Sequence, residues 1–179
     1  MFVMTEIQIN GLKISGALCL VRLHHSTPDI YRLPAFCGIM AGSMINLPFI
    51  STDHQSSGIQ AACCVEAKHQ MLTQKLVDAD PMMKEHVSYI PDVGLLTLFP
   101  HQSSLKLFVR SLRALSTENV RVLEMASSIG ALTYVLDYAQ LDAAAELLRS
   151  CFKLDGNHSP FRAVFVVRQG TQLKPGPVE

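Results

Sequence analysis

Residues 119–152, NVRVLEMASSIGALTYVLDYAQLDAAAELLRSCF, change their hydrophobic period once, and this change decides the fold. Residues 120–123 begin an extended apolar run, apolar side chains alternate along 132–136, and the two serines between these runs favour a turn. After Asp137 the apolar residues recur every three or four positions, which is the spacing of one helical face. The stretch therefore predicts two strands joined by a turn and covered by a helix.

The flanking segments extend this pattern on both sides. Residues 94–99 form an apolar run typical of a strand, and residues 161–167 form a run rich in β-branched and aromatic side chains. Between the first of these strands and residue 119, one set of apolar residues has helical spacing. Its members are Leu105, Phe108, Val109, Leu112 and Leu115. The second half of the chain is thus predicted to have the order βαββαβ.

The first half has the same order, preceded by an extra hairpin. The dipeptide at 10–11, Asn-Gly, lies between two short alternating runs and is a strong signal for a two-residue hairpin turn. The strands that follow are predicted at residues 17–23, 46–51, 59–65 and 87–90. One helix is predicted to begin at Pro34, and a second helix follows the third of these strands.

The two halves are an internal duplication. Residues 46–51 match residues 119–124 at an offset of 73, and His25 lies over His101 at an offset of 76. We therefore predict an α+β fold of two ferredoxin-like βαββαβ units, each an antiparallel sheet with two helices on one face. The predicted domains are residues 11–91 and 92–168, and residues 169–179 are expected to be a frayed tail.

Composition excludes several classes of function. Fifteen basic residues balance fifteen acidic ones, so nothing in the net charge favours binding to nucleic acid. No apolar run approaches the roughly 18 residues that a membrane span needs, and the first ten residues lack the features of a secretory signal. We expect a cytosolic protein that binds neither nucleic acid nor membranes.

No catalytic, cofactor or metal motif is present in the sequence. It contains no GxSxG, no glycine-rich phosphate loop and no HExxH. The five cysteines lie in apolar contexts without CxxC spacing, which favours buried small side chains over a redox or metal role. We therefore expect no enzymatic activity and no cofactor.

Both halves resemble ACT domains, and together they resemble the tandem regulatory ACT pair of aspartokinases across about residues 11–168. The residues that carry the resemblance are INLPFIST at 45–52 and NVRVLEMASSIGALTYVLD at 119–137, followed by the helix at 141–152. In that family a kinase domain precedes the pair. The resemblance implies a free-standing regulatory module, without the kinase, that binds an amino-acid effector. Separately, the edge strands that such sheets leave unpaired predict association as a homodimer. ACT modules commonly bind amino acids where the first strand meets the first helix, often between two modules.

A helix that starts directly after a strand suits such a ligand, because its unpaired N–H groups can hold an α-carboxylate while strand-edge carbonyls hold an α-ammonium. The resemblance places candidate ligand-binding residues at the equivalent positions of both halves. In the first half these are Ser26, Thr27, Asp29, Ile30, Asn46, Leu47, Pro48 and Ser51. In the second half they are His101, Gln102, Ser103 and Ser104.

Other interpretations remain open. The serines and the threonine of these loops are also typical helix-capping residues. His24, His25 and His101 could converge and bind zinc if the halves packed side by side, and the alternative is that they are solvated loop histidines. An ACT pair without a ligand, serving as a dimerisation or protein-interaction scaffold, is the alternative function. An enzyme with a ferredoxin-like fold is a remote third possibility.

Overall fold

A computed structural model describes residues 7–26, 32–55, 58–99 and 104–154. The strands are β1 Gln8–Ile9, β2 Gly11–Ile14, β3 Leu18–Ser26, β4 Phe49–Gln55, β5 Gly58–Glu66, β6 Val87–Phe99, β7 Val122–Ser127, β8 Leu132–Asp137 and β9 Lys153–Leu154. The helices are α1 Arg32–Gly42, α2 Gln70–Asp78, α3 Pro81–Lys84, α4 Leu105–Thr117 and α5 Leu141–Cys151. The predicted strand at 161–167 and the tail lie outside the described residues.

The internal duplication is visible in the elements themselves. Helices α1 and α4 begin 73 residues apart, and so do strands β4 and β7. Both helices also end in the same way, because Met44 and Asn119 each adopt φ 56° and the N–H groups that follow return to carbonyls of the last turn. Each half therefore repeats the order strand, helix, strand, strand, helix, as the sequence predicts.

Six strands form one antiparallel sheet in the order β4-β5-β3-β6-β8-β7, and β2 pairs with β6 as a seventh. The first unit consists of β4, β5, β3 and the first half of β6, with α1, α2 and α3 on one face. The second unit consists of β2, the second half of β6, β8 and β7, with α4 and α5. The predicted ferredoxin-like arrangement with helices on one face is confirmed.

The two strands predicted at residues 87–90 and 94–99 are a single strand of 13 residues, β6. Pro91 and Asp92 together lie opposite Cys19, since Leu18 pairs with Val93 while Leu20 pairs with Ile90. This is a β-bulge, a position where the missing N–H of proline is tolerated, and Asp92 adopts φ 54° in it. The predicted domain boundary between residues 91 and 92 thus falls inside a strand that both units share.

The predicted N-terminal hairpin is wrong. Strand β1 pairs in parallel with β9, and β2 pairs with the second half of β6 from Gly11 opposite Phe99 to Ile14 opposite Leu96. Residues 11–14, which the sequence assigned to the first unit, occupy the outer position of the second unit's sheet. Burial explains this, because Leu12 has no exposed surface and packs into the core of the second unit.

Three apolar clusters hold the molecule together. One lies under α4 and α5 and includes β2, and another lies under α1, α2 and α3. The third lies on the sheet face opposite the helices and draws residues from both units, including Leu20, Phe49, Leu95 and Val135. The edge strands β4 and β7 approach each other, so the sheet curls round this third cluster and joins the units. No helix among the described residues is long and apolar enough to cross a membrane.

Candidate functional site

Half of the predicted ligand-binding residues lie outside the described part of the chain. These are Thr27, Asp29, Ile30, His101, Gln102 and Ser103. The segment between β3 and α1 is therefore located by its two ends, Ser26 at the end of β3 and Arg32 at the start of α1. The Arg32 side chain is buried, and its Nε donates to the carbonyl of Met82 at 3.1 Å. It is turned toward α3.

The remaining first-unit residues do not lie beside that segment within one chain. Ser26 at the end of β3 pairs with Ile59 of β5. Phe49 at the start of β4 pairs with Cys64 of β5, which also pairs with Leu20 near the start of β3. The helix α1 returns the chain to the opposite end of the sheet, so Asn46, Leu47 and Pro48 lie at the end far from Ser26. Ser51 is level with Arg22, between the two ends. Within one unit, Ser26 is therefore not close to the residues that precede β4, and the binding role of these residues stays a prediction.

The described residues that border the two candidate loops lie at opposite ends of the shared strand. Phe99, which precedes the loop of His101, is the last residue of β6, while the end of β3 lies beside Val87, the first residue of β6. His101 itself lies outside the described residues, so its convergence with His24 and His25 is not tested. His24 is half-buried, and its Nε2 lies 2.7 Å from Ser88 Oγ. No cluster of three metal-ligating side chains occurs among the described residues.

Ser104 has the alternative role that the sequence left open. It is the N-cap residue of α4, and its hydroxyl oxygen accepts the N–H of Leu107 at 3.3 Å. An N-cap serine satisfies one of the helix's otherwise unpaired donors. The hydroxyl that was a candidate for ligand binding therefore caps the start of α4.

Sequence analysis missed an ion pair that joins the units on the inner face of the sheet. Arg22 of β3 donates from Nε to Glu124 Oε1 at 2.9 Å and from Nη2 to the carbonyl of Leu123 at 3.0 Å. Both side chains are largely buried, with 32% and 25% of their surface exposed. The available signal was a single arginine inside the apolar run LCLVRL, since a charged residue in a buried strand requires a partner.

The exposed face of α4 is a second feature that the sequence misread. The predicted core stripe contained Leu105 and Val109, but the buried face consists of Leu107, Ser111 and Leu115. Ser111 lies in this buried face, where its hydroxyl is 2.6 Å from Tyr134 Oη. A polar residue therefore interrupts the apolar spacing of the face that is buried. Leu105 and Val109 are consequently exposed.

The cysteines have the packing role that the sequence favoured. Cys19, Cys63 and Cys64 are buried, and none of the five forms a disulfide. Burial raises the pKa of Cys19 to about 11 and the pKa values of Cys63 and Cys64 to about 12. These three thiols are protonated at neutral pH, which does not suit a nucleophile.

Comparison with known proteins gives a consistent result for the fold. No family model matches this sequence, and no curated protein matches it. Among solved structures, the regulatory subunit of aspartate kinase from Thermus flavus matches 81% of this chain and 99% of its own, with a TM-score of 0.71 at 13% identity. The ligand-free regulatory subunit from Thermus thermophilus matches over the same shares with a TM-score of 0.69 at 15% identity.

A full-length aspartokinase also matches, over part of its length. Escherichia coli aspartokinase III, crystallised with lysine and aspartate, matches 83% of this chain and 34% of its own, with a TM-score of 0.58 at 17% identity. The match to the separate subunits is nearly end to end, and the match to the larger protein is partial. The fold of this chain is therefore that of the regulatory ACT pair of aspartokinases.

Proposed function

We propose that this protein is a regulatory module that binds a small free amino acid at the segment between β3 and α1. The observation that carries the proposal is the extent of the structural match, since this chain covers 97–99% of three aspartokinase structures, two of them separate regulatory subunits. The structure of E. coli aspartokinase III with lysine adds an amino-acid ligand in a protein of this fold.

The start of α1 supports the proposal chemically. Its first N–H groups have no acceptor within the helix, and they lie at the positive end of the helix dipole. An α-carboxylate placed there gains roughly 1.5–3 kcal/mol for each charge-assisted hydrogen bond. Two or three such bonds, less the cost of immobilising the ligand, give dissociation constants of about micromolar to millimolar.

The separation of the candidate residues within one unit supports a site shared between two copies. Ser26 and Asn46 lie at opposite ends of the first unit's sheet. A two-fold, antiparallel pairing of two copies through their α1 helices brings the Ser26 end of one copy beside the Asn46 end of the other. We propose that residues 26–30 of one copy and residues 46–51 of the other form each site.

The outer face of α1 fits this arrangement. It presents small side chains, and a Cβ atom added at Gly38 or Gly42 would meet no atom within 4 Å. Strand β4 approaches β7 of the same chain, so the surface offered to a second copy is the exposed face of α1 and not the edge of the sheet. A helix face of small side chains allows close approach of a second helix.

Thermal shift measurements with the twenty amino acids test the effector. A ligand present at 100 times its dissociation constant stabilises the fold by about 2.7 kcal/mol, which raises the melting midpoint measurably. Asn46→Ala and Asp29→Ala should abolish the response, while the exposed control Glu85→Ala should retain it. If no amino acid raises the midpoint at about 10 mM, the ligand-free scaffold replaces this proposal.

Sedimentation of the same protein tests the second copy. We expect a dimer at tens of micromolar, and Gly38→Leu should shift it toward the monomer because the side chain would separate the paired helices. Lys75→Leu, an exposed change on α2, is the matched control. A monomer that still binds an amino acid would contradict the shared site and leave the effector proposal standing.

A further inference from the structure

An apolar stripe runs along the exposed side of α4. Leu105 and Val109 are 76% and 58% exposed, and Leu112 is partly buried one turn further on. Successive helical residues are turned by about 100°, so these three side chains and that of Ser116 lie within about 60° of one another. We call this set of four residues the α4 stripe.

The α4 stripe leads into an open groove of about 470 Å³ between the end of α4 and the start of β7. The groove is lined by Leu112, Ser116, Asn119, Val120, Arg121 and Val122. Leu112, Val120 and Val122 give the groove apolar lining, and Arg121 gives it a positive charge. Stripe and groove share Leu112 and Ser116, so together they form one continuous, partly apolar surface of the second unit, of the kind that receives an amphipathic helix.

Positive charges flank this surface on both sides. Lys106 and Arg113 lie next to the α4 stripe on its solvent side, and Arg121 lies across the groove at the start of β7. All three are exposed, and none forms an ion pair within the part of the chain that the structure describes. Helix α4 contains no acidic residue, although the whole chain carries no net charge.

These charges argue against a second copy of this chain as the occupant. A two-fold antiparallel pairing of α4 helices centred between Val109 and Arg110 would place Lys106 of each copy opposite Arg113 of the other. Like charges set against each other in an interface are a repulsive element that disfavours the pairing. The surface is complementary in charge to an acidic partner and not to itself.

We propose that the α4 stripe and its groove bind an amphipathic helix of another protein, with apolar residues on one face and carboxylates on both flanks. The distance from Leu105 to Ser116 along α4 is about 16 Å, so about three turns of the partner helix make contact. Apolar side chains fill the groove beside Leu112 and Val120, and the carboxylates pair with Lys106, Arg113 and Arg121.

This surface is independent of the proposed effector site. It lies on α4 and β7 of the second unit, whereas the effector site involves the start of α1 and the start of β4 in the first. The two proposals therefore fail separately, since loss of the amino-acid response leaves the α4 surface unchanged.

Two synthetic helical peptides of about four turns test the proposal by fluorescence anisotropy with the full chain. Both carry leucines at helical spacing; one has glutamates on its flanks and the other has lysines at the same positions. We expect the glutamate peptide to bind at least about tenfold more tightly at low salt, and its affinity to fall as salt is added. Equal affinity for the two peptides, or no binding of the glutamate peptide at about 1 mM, overturns the proposal.

Variants locate the binding surface. Arg113→Glu with Arg121→Glu should weaken the glutamate peptide about tenfold, while the matched reversals Lys75→Glu with Lys84→Glu on α2 and α3 should leave it unchanged. Val109→Asp should also weaken binding, and Met71→Asp, at an exposed apolar position on α2, should not. If Val109→Asp instead converts a sedimenting dimer to a monomer without affecting the peptide, a second copy occupies the surface and the proposal is wrong.

Discussion

The two units build the same fold from different distributions of side-chain size. In the first unit the strands contribute three small residues to the core beside larger ones, whereas in the second the strands contribute large residues and α5 contributes two alanines beside its leucines. The first set is Cys19, Ala61 and Cys63 against Phe36, Met40 and Met83; the second is Leu96, Leu98 and Tyr134 against Ala144 and Ala145. The duplicated fold thus constrains the combined volume of the facing layers, and not the size of each residue.

Their exposed helices differ just as clearly. The outward side of α1 carries small, uncharged residues, and the equivalent α4 carries leucine, valine and three basic residues. Since α1 and α4 occupy the same place in each unit, this difference does not arise from packing. The two proposals above depend on this difference, since pairing with a second copy uses the small residues of α1 and binding of a different partner uses the apolar and basic residues of α4.

Leu12→Ala tests whether the N-terminal strand belongs to the second unit, and it has the largest expected effect. Leu12 is fully buried in that core, so its truncation should lower the free energy of unfolding by about 2–5 kcal/mol. Urea denaturation measures the change. Leu72→Ala, at a partly exposed position of the first unit, is the control and should change stability by about 0.5 kcal/mol or less. Similar losses in both variants would contradict the placement of β2.

The loss of stability at alkaline pH should be the next largest difference between the units, because the three buried thiols lie in strands of the first unit. Burial holds the pKa of Cys64 at about 12, above the ordinary thiol value of 9.0, so the folded state keeps a proton that the unfolded state loses. Stability is therefore full below pH 9 and falls as pH rises toward 12, by up to about 1.4 kcal/mol per pH unit for each such thiol.

Cys64→Ala is the variant that checks this slope. It creates a cavity and lowers stability at every pH, but the decline between pH 9 and 12 should become shallower than in the unmodified protein. Cys151→Ala is the control, since Cys151 lies at the end of α5 and is only partly buried. Parallel curves for Cys64→Ala and the unmodified protein would show that this thiol does not contribute.

The Arg22 and Glu124 pair should give the smallest of the three effects. A double-mutant cycle with Arg22→Met and Glu124→Gln should show a coupling energy of about 1 kcal/mol, because both groups are largely withdrawn from water. Arg149 and Glu146, an exposed pair one turn apart on α5, should couple by about 0.3 kcal/mol. Equal coupling in the two pairs would mean that the contact between the units is energetically an ordinary surface pair.

Local periodicity was enough to predict most of the fold, and it failed where distant segments compete. The internal repeat correctly identified α4 as the equivalent of α1 and β7 as the equivalent of β4, since both assignments depend on spacing within a dozen residues. The Asn-Gly dipeptide favours a hairpin locally, but pairing with β6 buries more apolar surface than the hairpin would. A Cβ at Gly94 would lie 2.7 Å from Leu141 Cδ2, and this close approach of β6 to α5 has no local signal in the sequence.

The candidate site was less predictable because it depends on which ends of the strands meet. The sequence identified the residues that precede α1 and β4, but a strand–helix–strand crossover places them at opposite ends of the sheet. The role of Arg22 required knowledge of the facing strand β7, about a hundred residues later in the chain. Such relationships arise from topology and not from residue type.

The pairing of β2 with β6 has a consequence for how the chain folds during synthesis. Gly11 pairs with Phe99, and the core that receives Leu12 includes α5, so this strand leaves the ribosome long before its partners exist. The first unit can form while β2 remains unpaired, and the second can close only after α5 has emerged. Such long-range closure slows folding and leaves an apolar strand exposed in the meantime. We therefore expect refolding in two phases, with the second unit acquiring protection from hydrogen exchange last.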